Sequence, residues 1–274
     1  MILLQLRLQQ ITLTAATMAL VSFSNSPVLA QAQSKPTVPT QQQPQQRTPS
    51  EQKKATSRFV LPTPPDRGTP GKREAAASRG GCPVVDTPLT ALVPVYKNYS
   101  QDGIPVESIW SLTVAERPTF WFYVPYSSSS LDSVEFVLQD EADNDIYQAP
   151  VRIPKTPGIV SVRLPSTSKP LLAGKMYHWF FKVRCASQNT AGPIFVEGWV
   201  QRNTLSPTLK NQLEAATPLQ RIALYAQNGI WYDALTTLAE LRLQKPEDTS
   251  LKANWNELFH LVGLSEVASQ SLVK

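Results

Sequence analysis

The 274-residue chain holds two histidines, His178 and His260, and two cysteines, Cys82 and Cys185. That scarcity restricts its chemistry. Neither histidine stands at ligand spacing from a cysteine, so a Cys/His metal site has no basis in the sequence. Also missing are a Gly-x-Ser-x-Gly nucleophile elbow, a phosphate-binding glycine loop and a dinucleotide fingerprint. Beyond the N-terminus no segment is apolar enough to cross a bilayer, which takes about 20 residues. Asp140, Glu141, Asp143 and Asp145 make the densest acidic group, but the central glycine and distal glutamate of a calcium loop are absent, and the group reads as a hairpin turn. Carboxylate pairs for glycoside hydrolysis are set in three dimensions and leave no local trace. A hydrolase of envelope material therefore stays as an alternative without a nominated residue. No catalytic, cofactor or metal residue is expected.

What is present begins with an export signal over 1–30. Arg7 carries its only charge, Ile11 to Phe23 its apolar stretch, and Val28-Leu29-Ala30 a small-x-small cleavage site. Cleavage between Ala30 and Gln31 places the mature chain in the periplasm or outside the cell. Retention as an anchor is the other reading. In an oxidising compartment an even cysteine count favours one disulfide, Cys82–Cys185, over two separate buried thiols.

The net charge of +5 suggests nucleic acid until it is located. Residues 31–81 carry nine Lys/Arg against three Asp/Glu, whereas 82–203 carry ten against eleven and 204–274 six against seven. The excess sits in a Pro/Gln-rich linker, expected to be disordered because its composition buries too little apolar surface to offset chain entropy. Nucleic acid is not an expected partner.

From Cys82 to about 203 the pattern has period two. Pro118-Thr119-Phe120-Trp121-Phe122-Tyr123-Val124-Pro125 reads as a strand covered on both faces. Val134, Phe136 and Leu138 share one face of the next strand, and Tyr177, Trp179, Phe181, Val183 and Cys185 share one face of a later strand. Short strands punctuated by Pro, Gly, Ser and Asp predict an immunoglobulin-like antiparallel β-sandwich over 82–203. Leu172-Ala173-Gly174-Lys175-Met176-Tyr177 has the look of a tyrosine corner, with Tyr177 bonding back to the upstream backbone. Most tryptophans here read as core. Trp199, beside Glu197, is the candidate for facing a cell-wall polysaccharide. His178 alternates outward and reads as a surface residue, His260 as a packed or capping one, and Ser127-Ser128-Ser129-Ser130 as a loop.

From 204 the period becomes helical, and the chain matches itself at an offset of 34. Leu224, Tyr225, Gly229, Ile230, Ala234 and Leu238 are followed by Leu258, Phe259, Gly263, Leu264, Ala268 and Leu272. Such a period marks a helix–turn–helix repeat, a type that presents surfaces to other proteins. Helices are expected from Ser206-Pro207, over Leu219 to Asn228, Trp231 to Leu243 and Thr249 to Val262, with a short one from Ser265. Tyr225 and Ala234 are expected to pack between helices, with Lys210, Arg221, Arg242 and Glu257 on the surface.

Two resemblances follow from particular residues. Gly68-Thr69-Pro70-Gly71-Lys72-Arg73-Glu74 with Arg79-Gly80-Gly81-Cys82, then Leu92-Val93-Pro94 and the Pro118–Pro125 stretch, resemble the domain of unknown function 928 family from about Gly68 to the C-terminus. Ala75-Ala76-Ala77 departs from the family's glycines. The resemblance implies an exported protein, mainly cyanobacterial, with no assigned activity. Tyr225, Gly229, Trp231, Ala234 and Pro246 resemble the tetratricopeptide consensus, and a second copy keeps Phe259, Gly263 and Ala268 without the closing proline. Independent stability takes about three such repeats, so this shorter array is expected to dock on the sandwich or on a partner.

The expected molecule is therefore mainly β plus α: signal peptide 1–30, linker 31–81, immunoglobulin-like sandwich 82–203 and TPR-like helical array 204–274. Its expected role is that of an exported, non-catalytic adaptor engaging another envelope protein through the helices, with carbohydrate or peptidoglycan binding as the first alternative.

Overall fold

Two β-sheets and four α-helices make up the described part of the computed structural model, which covers residues 60–63, 69–75, 81–99, 103, 105–153, 156–186 and 192–273. All lie in one compact unit, Gln52–Lys274. The signal segment with Ala30 and Gln31, and the linker up to residue 59, lie outside the described residues.

The smaller sheet contains β1 (Glu74–Ala75), β2 (Leu89–Ala91), β5 (Thr119–Val124) and β8 (Gly158–Arg163), in that spatial order. The larger runs β3 (Val95–Tyr99), β4 (Pro105–Thr113), β10 (Ile194–Arg202), β9 (Met176–Cys185), β6 (Leu131–Gln139) and β7 (Asp145–Pro150). The sheets face each other across aromatic side chains. Phe122 stacks on Phe181 with centroids 4.0 Å apart, and Phe120 meets Phe136 at 4.8 Å. Phe136 and Phe181 are on the faces that the period-two pattern assigns inward, and burying each ring contributes about 2–3 kcal/mol. Cys82 and Cys185 are joined, closing a loop across 103 positions and tying the lead-in of the smaller sheet to the end of β9.

One pairing corrects the wholly antiparallel expectation. β4 and β10 run parallel, from Trp110 opposite Trp199 to Thr113 opposite Arg202. Below that stretch the two strands part, and the segment Thr69–Lys72 fills the gap. The Ile109 N–H donates to the Thr69 carbonyl at 3.0 Å, and Lys72 and Glu197 exchange both backbone hydrogen bonds, at 3.0 and 2.9 Å. Gly71 fits there because a Cβ would fall 2.8 Å from the Cβ of Ile109. The chain then crosses to the smaller sheet, where the Ala91 N–H donates to the Arg73 carbonyl and β1 pairs with β2. Linker character expected over 31–81 thus ends by Thr69, which is fully buried, as is Ala75. Backbone hydrogen bonds build this piece, and its Pro-Gly-Lys-Arg composition gives no periodicity from which to read it.

The helices are α1 (Pro207–Ala215), α2 (Pro218–Gln227), α3 (Trp231–Gln244) and α4 (Thr249–Leu261), followed by a 3-10 turn at Ser265–Val267. Their starts follow from the sequence. The Ser206 hydroxyl accepts from the Leu209 N–H, Thr217 and Gln220 form a capping box, and Asp248 accepts from the N–H groups of Ser250 and Leu251. The 34-residue repeat reappears as one helix end built twice. Gly229 and Gly263 adopt φ of 69° and 68°. The Ile230 N–H reaches the Tyr225 carbonyl at 2.9 Å and the Leu264 N–H reaches that of Phe259 at 2.8 Å, while Gly229 and Gly263 donate to Ala226 and His260. Both are Schellman ends, and the left-handed conformation they need explains the repeated glycine.

The helices pack on the sheets and share their core. Trp231, Tyr232, Leu235, Leu238, Trp255 and Phe259 belong to the same buried cluster as the strand residues. Three consecutive residues open α3 and reach different strands. Trp231 Nε1 donates to the Leu92 carbonyl just past β2, at 2.7 Å. The Tyr232 hydroxyl accepts from Trp179 Nε1 on β9 at 2.9 Å and donates to the Trp199 carbonyl on β10 at 3.2 Å. Asp233 Oδ2 accepts from the Thr113 hydroxyl on β4 at 2.8 Å and from the Val114 N–H at 3.1 Å. One turn later Thr236 accepts from Trp121 Nε1 on β5. After the 3-10 turn the chain lies beside β8, where the Ile159 N–H donates to the Ser271 carbonyl and the Val273 N–H to that of Ile159, at 2.7 and 2.8 Å.

Tyr232→Phe would leave the ring packed on Phe120, 5.3 Å away, but strand the buried Trp179 N–H. The expected cost is about 1–3 kcal/mol in urea unfolding. An unchanged midpoint would show that Trp179 finds another acceptor.

Candidate functional site

The junction of α2 and α3 with the sheets leaves a cleft of about 190 Å³, lined by Thr113, Arg117, Arg163, Tyr225, Asp233 and Thr237 among others. Asp233 sits at its heart because it occupies the third position of α3, where the helix N-terminus faces the end of β4. Burial pushes its carboxyl up to about 6, against the pull of the bonds from Thr113 and Val114. Burial likewise raises the Tyr225 hydroxyl, and the Asp233 charge adds to that. The two arginines on the rim are tied down. Arg117 donates to the Ser168 carbonyl at 3.2 and 3.0 Å, and Arg163 to the Thr119 hydroxyl at 3.0 Å and to Glu240. Asp233 could act as a proton acceptor on its pKa, yet its Oδ2 already holds a helix to a strand. The arrangement makes a polar lock.

A second surface is left by α1 and α2. Leu209 and Leu213 of α1 pack on Trp110, Leu112 and Met176, forming a small cluster on the outer side of the larger sheet. The opposite side of the helix pair carries a groove of about 420 Å³ lined by Gln212, Ala215, Ala216, Gln220, Ala223 and Leu224. Leu219, at the start of α2, is 45% exposed.

The nominated residues have the following places. The Tyr177 hydroxyl accepts from the Leu172 N–H at 2.8 Å, as a tyrosine corner requires. Ala234 is fully buried, Tyr225 is half-buried on the cleft wall, and Trp231 is fully buried with its Nε1 on the Leu92 carbonyl. Pro246 is exposed just past α3, Phe259 is buried in α4, and Ala268 accepts from Trp255 Nε1 at 3.1 Å. The Gly263 carbonyl accepts from Arg73, whose guanidinium also donates to the Val262 carbonyl at 2.8 Å and closes the end of α4. Lys210 and Arg221 are exposed; Glu257 and Arg242 are half-buried, the latter with its guanidinium 4.6 Å from the Trp255 ring centre.

His260 is exposed, with Nδ1 3.3 Å from the Ser265 hydroxyl. Trp199 does not present a free ring. It stacks on His178 at 4.3 Å with 7° between planes, and its Nε1 donates to the Pro70 carbonyl at 3.0 Å. His178 in turn lies 3.1 Å from the Glu197 carboxylate. The acidic turn closes on itself, the Asp140 carboxylate accepting from the Ala142 and Asn144 N–H groups. Ser128–Ser130 form a 3-10 turn. Among the described residues no group of three His, Cys, Asp or Glu could hold a metal, and no helix is long and apolar enough to cross a membrane. Asp233 was not nominated from sequence; its signal is an acid in the first turn of a helix directly after Trp231-Tyr232.

Comparison with known proteins adds the following. The family described as "Domain of Unknown Function (DUF928)" matches residues 74–272. No curated protein matches the chain. Among solved structures, the β-glucuronidase of Parabacteroides merdae aligns at 9% identity and a TM-score of 0.23, over 71% of this chain and 34% of the enzyme. The same enzyme with glycerol in its active site aligns at 9% identity and 0.23, over 65% of this chain and 33% of the enzyme. The chain thus spans about a third of these structures' length, and a likeness this distant carries no argument about activity.

The Asp233 carboxyl gives a pH test. Its unfolded value is 3.8 and its folded value about 6, so the folded state holds the proton more tightly. Its stabilising effect is present below pH 4 and lost as pH rises through 6, by on the order of 2–3 kcal/mol. In urea unfolding at stepped pH, the gap between Asp233→Asn and the parent chain should shift by about 2 kcal/mol in the variant's favour from pH 4 to 7. Parallel curves would mean that the carboxyl titrates normally.

Proposed function

The chain belongs to the DUF928 family, whose description assigns no activity, and we propose that it is an exported, non-catalytic binding protein that engages another envelope protein through the outward side of α1 and α2. The observation that carries this reading is the unequal use of the helices. α3 and α4 are spent on the core, whereas the α1–α2 pair keeps a groove of alanine, glutamine and Leu224 side chains, and Leu219 of α2 is exposed. A helix pair whose far side is uncovered by any of the described residues suits docking of a partner segment.

We read the paired sheets as immunoglobulin-like on the strength of the Tyr177 corner, and the helical segment as TPR-like on the two Schellman ends 34 residues apart. The Cys82–Cys185 bond is compatible with export to the periplasm or beyond. Polysaccharide binding through Trp199 draws little support, since sugar stacking needs an open ring face and His178 covers one.

Deleting 204–274 would open the shared core, so point changes make the cleaner test. Leu219→Glu with Ala223→Arg should leave the near-ultraviolet circular dichroism and the melting temperature of the protein unchanged. Crosslinking in native envelopes followed by mass spectrometry should then show the partner's crosslinks reduced at least about tenfold, as for loss of an interface anchor. Full retention of every crosslinked protein would refute the α1–α2 interface.

A further inference from the structure

Between the β6–β7 turn and the loop that leads into β9 lies a hollow of about 490 Å³. Its walls are largely apolar: Ile146, Pro170, Leu172, Met176 and Tyr177. Leu172 is 61% exposed, an unusual setting for a large aliphatic side chain. The fold holds the loop around it, because the Leu172 N–H is bound to the Tyr177 hydroxyl at 2.8 Å. The facing wall is fixed as well. Asp140 folds the turn, and Glu141 crosses to the start of β9, where it accepts from the Met176 N–H at 3.1 Å and pairs with Lys175 at 3.2 Å. The hollow is therefore preformed, and its size falls in the range of about 300–1,000 Å³ usual for small-molecule sites.

Two lysines and two carboxylates line it, and they differ in how they are held. Lys175 is matched by Glu141, and the Asp140 carboxylate is turned onto its own backbone. Lys169, exposed on the rim, has no acidic or hydrogen-bonding partner among the described residues. An apolar trough with one unmatched ammonium complements an apolar chain that carries one negative group.

We propose that this hollow binds an amphiphile with a single anionic head, of the acyl-carboxylate class. Lys169 takes the head and Ile146, Leu172 and Met176 take the chain. The site is separate from the α1–α2 surface and does not rest on the partner role assigned there.

The chain offers a local probe. It has three methionines, Met1, Met18 and Met176, and Met176, the one among the described residues, lines the hollow. With methionine-methyl ¹³C labelling of the full chain, dodecanoate below its micelle-forming concentration should move the Met176 resonance saturably and leave the other methionine signals in place. The signal is assigned by its loss in Met176→Leu. Lys169→Ala should weaken dodecanoate about fivefold and leave the neutral chain dodecanol unaffected, the size of one exposed ion pair. Leu172→Asp, at an exposed position that the fold does not need, should abolish the shift. Absence of a saturable shift overturns the proposal. So does equal binding of dodecanol and dodecanoate with no effect of Lys169→Ala, which would mark a non-specific apolar surface.

Discussion

The first turn of α3 holds the molecule together. Trp231, Tyr232 and Asp233 are consecutive, and at helical spacing they point in three directions. Each meets a different strand group: the end of β2, the pair β9 and β10, and the end of β4. Two facing sheets can slide or splay at an open end unless something bridges them there. Here the bridge is polar and buried, so each of its hydrogen bonds is costly to leave unmade. Asp233 shows the expense directly, since its carboxyl is kept from water and holds its proton up to about pH 6. Such a group persists where removing it would leave the Val114 N–H without its partner.

That junction changes the meaning of the helical repeat. A free-standing array stacks repeat on repeat and leaves a concave surface open. In this chain the first copy sends α3 across the strands, and the second copy never forms its partner helix. After Gly263 the chain makes one 3-10 turn and then lies along β8. The two copies share a helix end and diverge immediately after it. Repetition in the sequence records the geometry of a turn here, and the destination of the chain beyond the turn is set by the sheet it meets.

This division also marks what could be read from the residues. Local rules located the helices, because Ser206 and Thr217 cap and Gly229 and Gly263 terminate without reference to anything distant. The inward face of β9, from Tyr177 to Cys185, was legible by alternation, and so was the Tyr177 corner. Three features were not. The parallel pairing of β4 with β10 depends on a backbone wedge, Thr69–Lys72, that has no hydrophobic period of its own. The bond from Trp231 to the Leu92 carbonyl leaves no trace either, because the helical pattern says which positions are buried and not against what. Trp199 seemed open beside Glu197, and only the tertiary neighbours His178 and Pro70 show it to be occupied.

Where this protein can bind follows from what its interior has consumed. The inner sheet faces, the sheet-facing sides of α3 and α4 and one face of the Trp199 ring are committed to packing. Two of the hollows that remain have a backbone fixed by local polar bonds. The α1–α2 pair is one, capped at both starts, with a groove on its far side among the described residues. The Tyr177 loop is the other, since the bond from the Leu172 N–H to the Tyr177 hydroxyl holds Leu172 on the same hollow as Lys169, which has no partner among the described residues. Both arise from the same economy: rigidity is supplied by backbone and capping contacts, which leaves nearby side chains free to recognise something else.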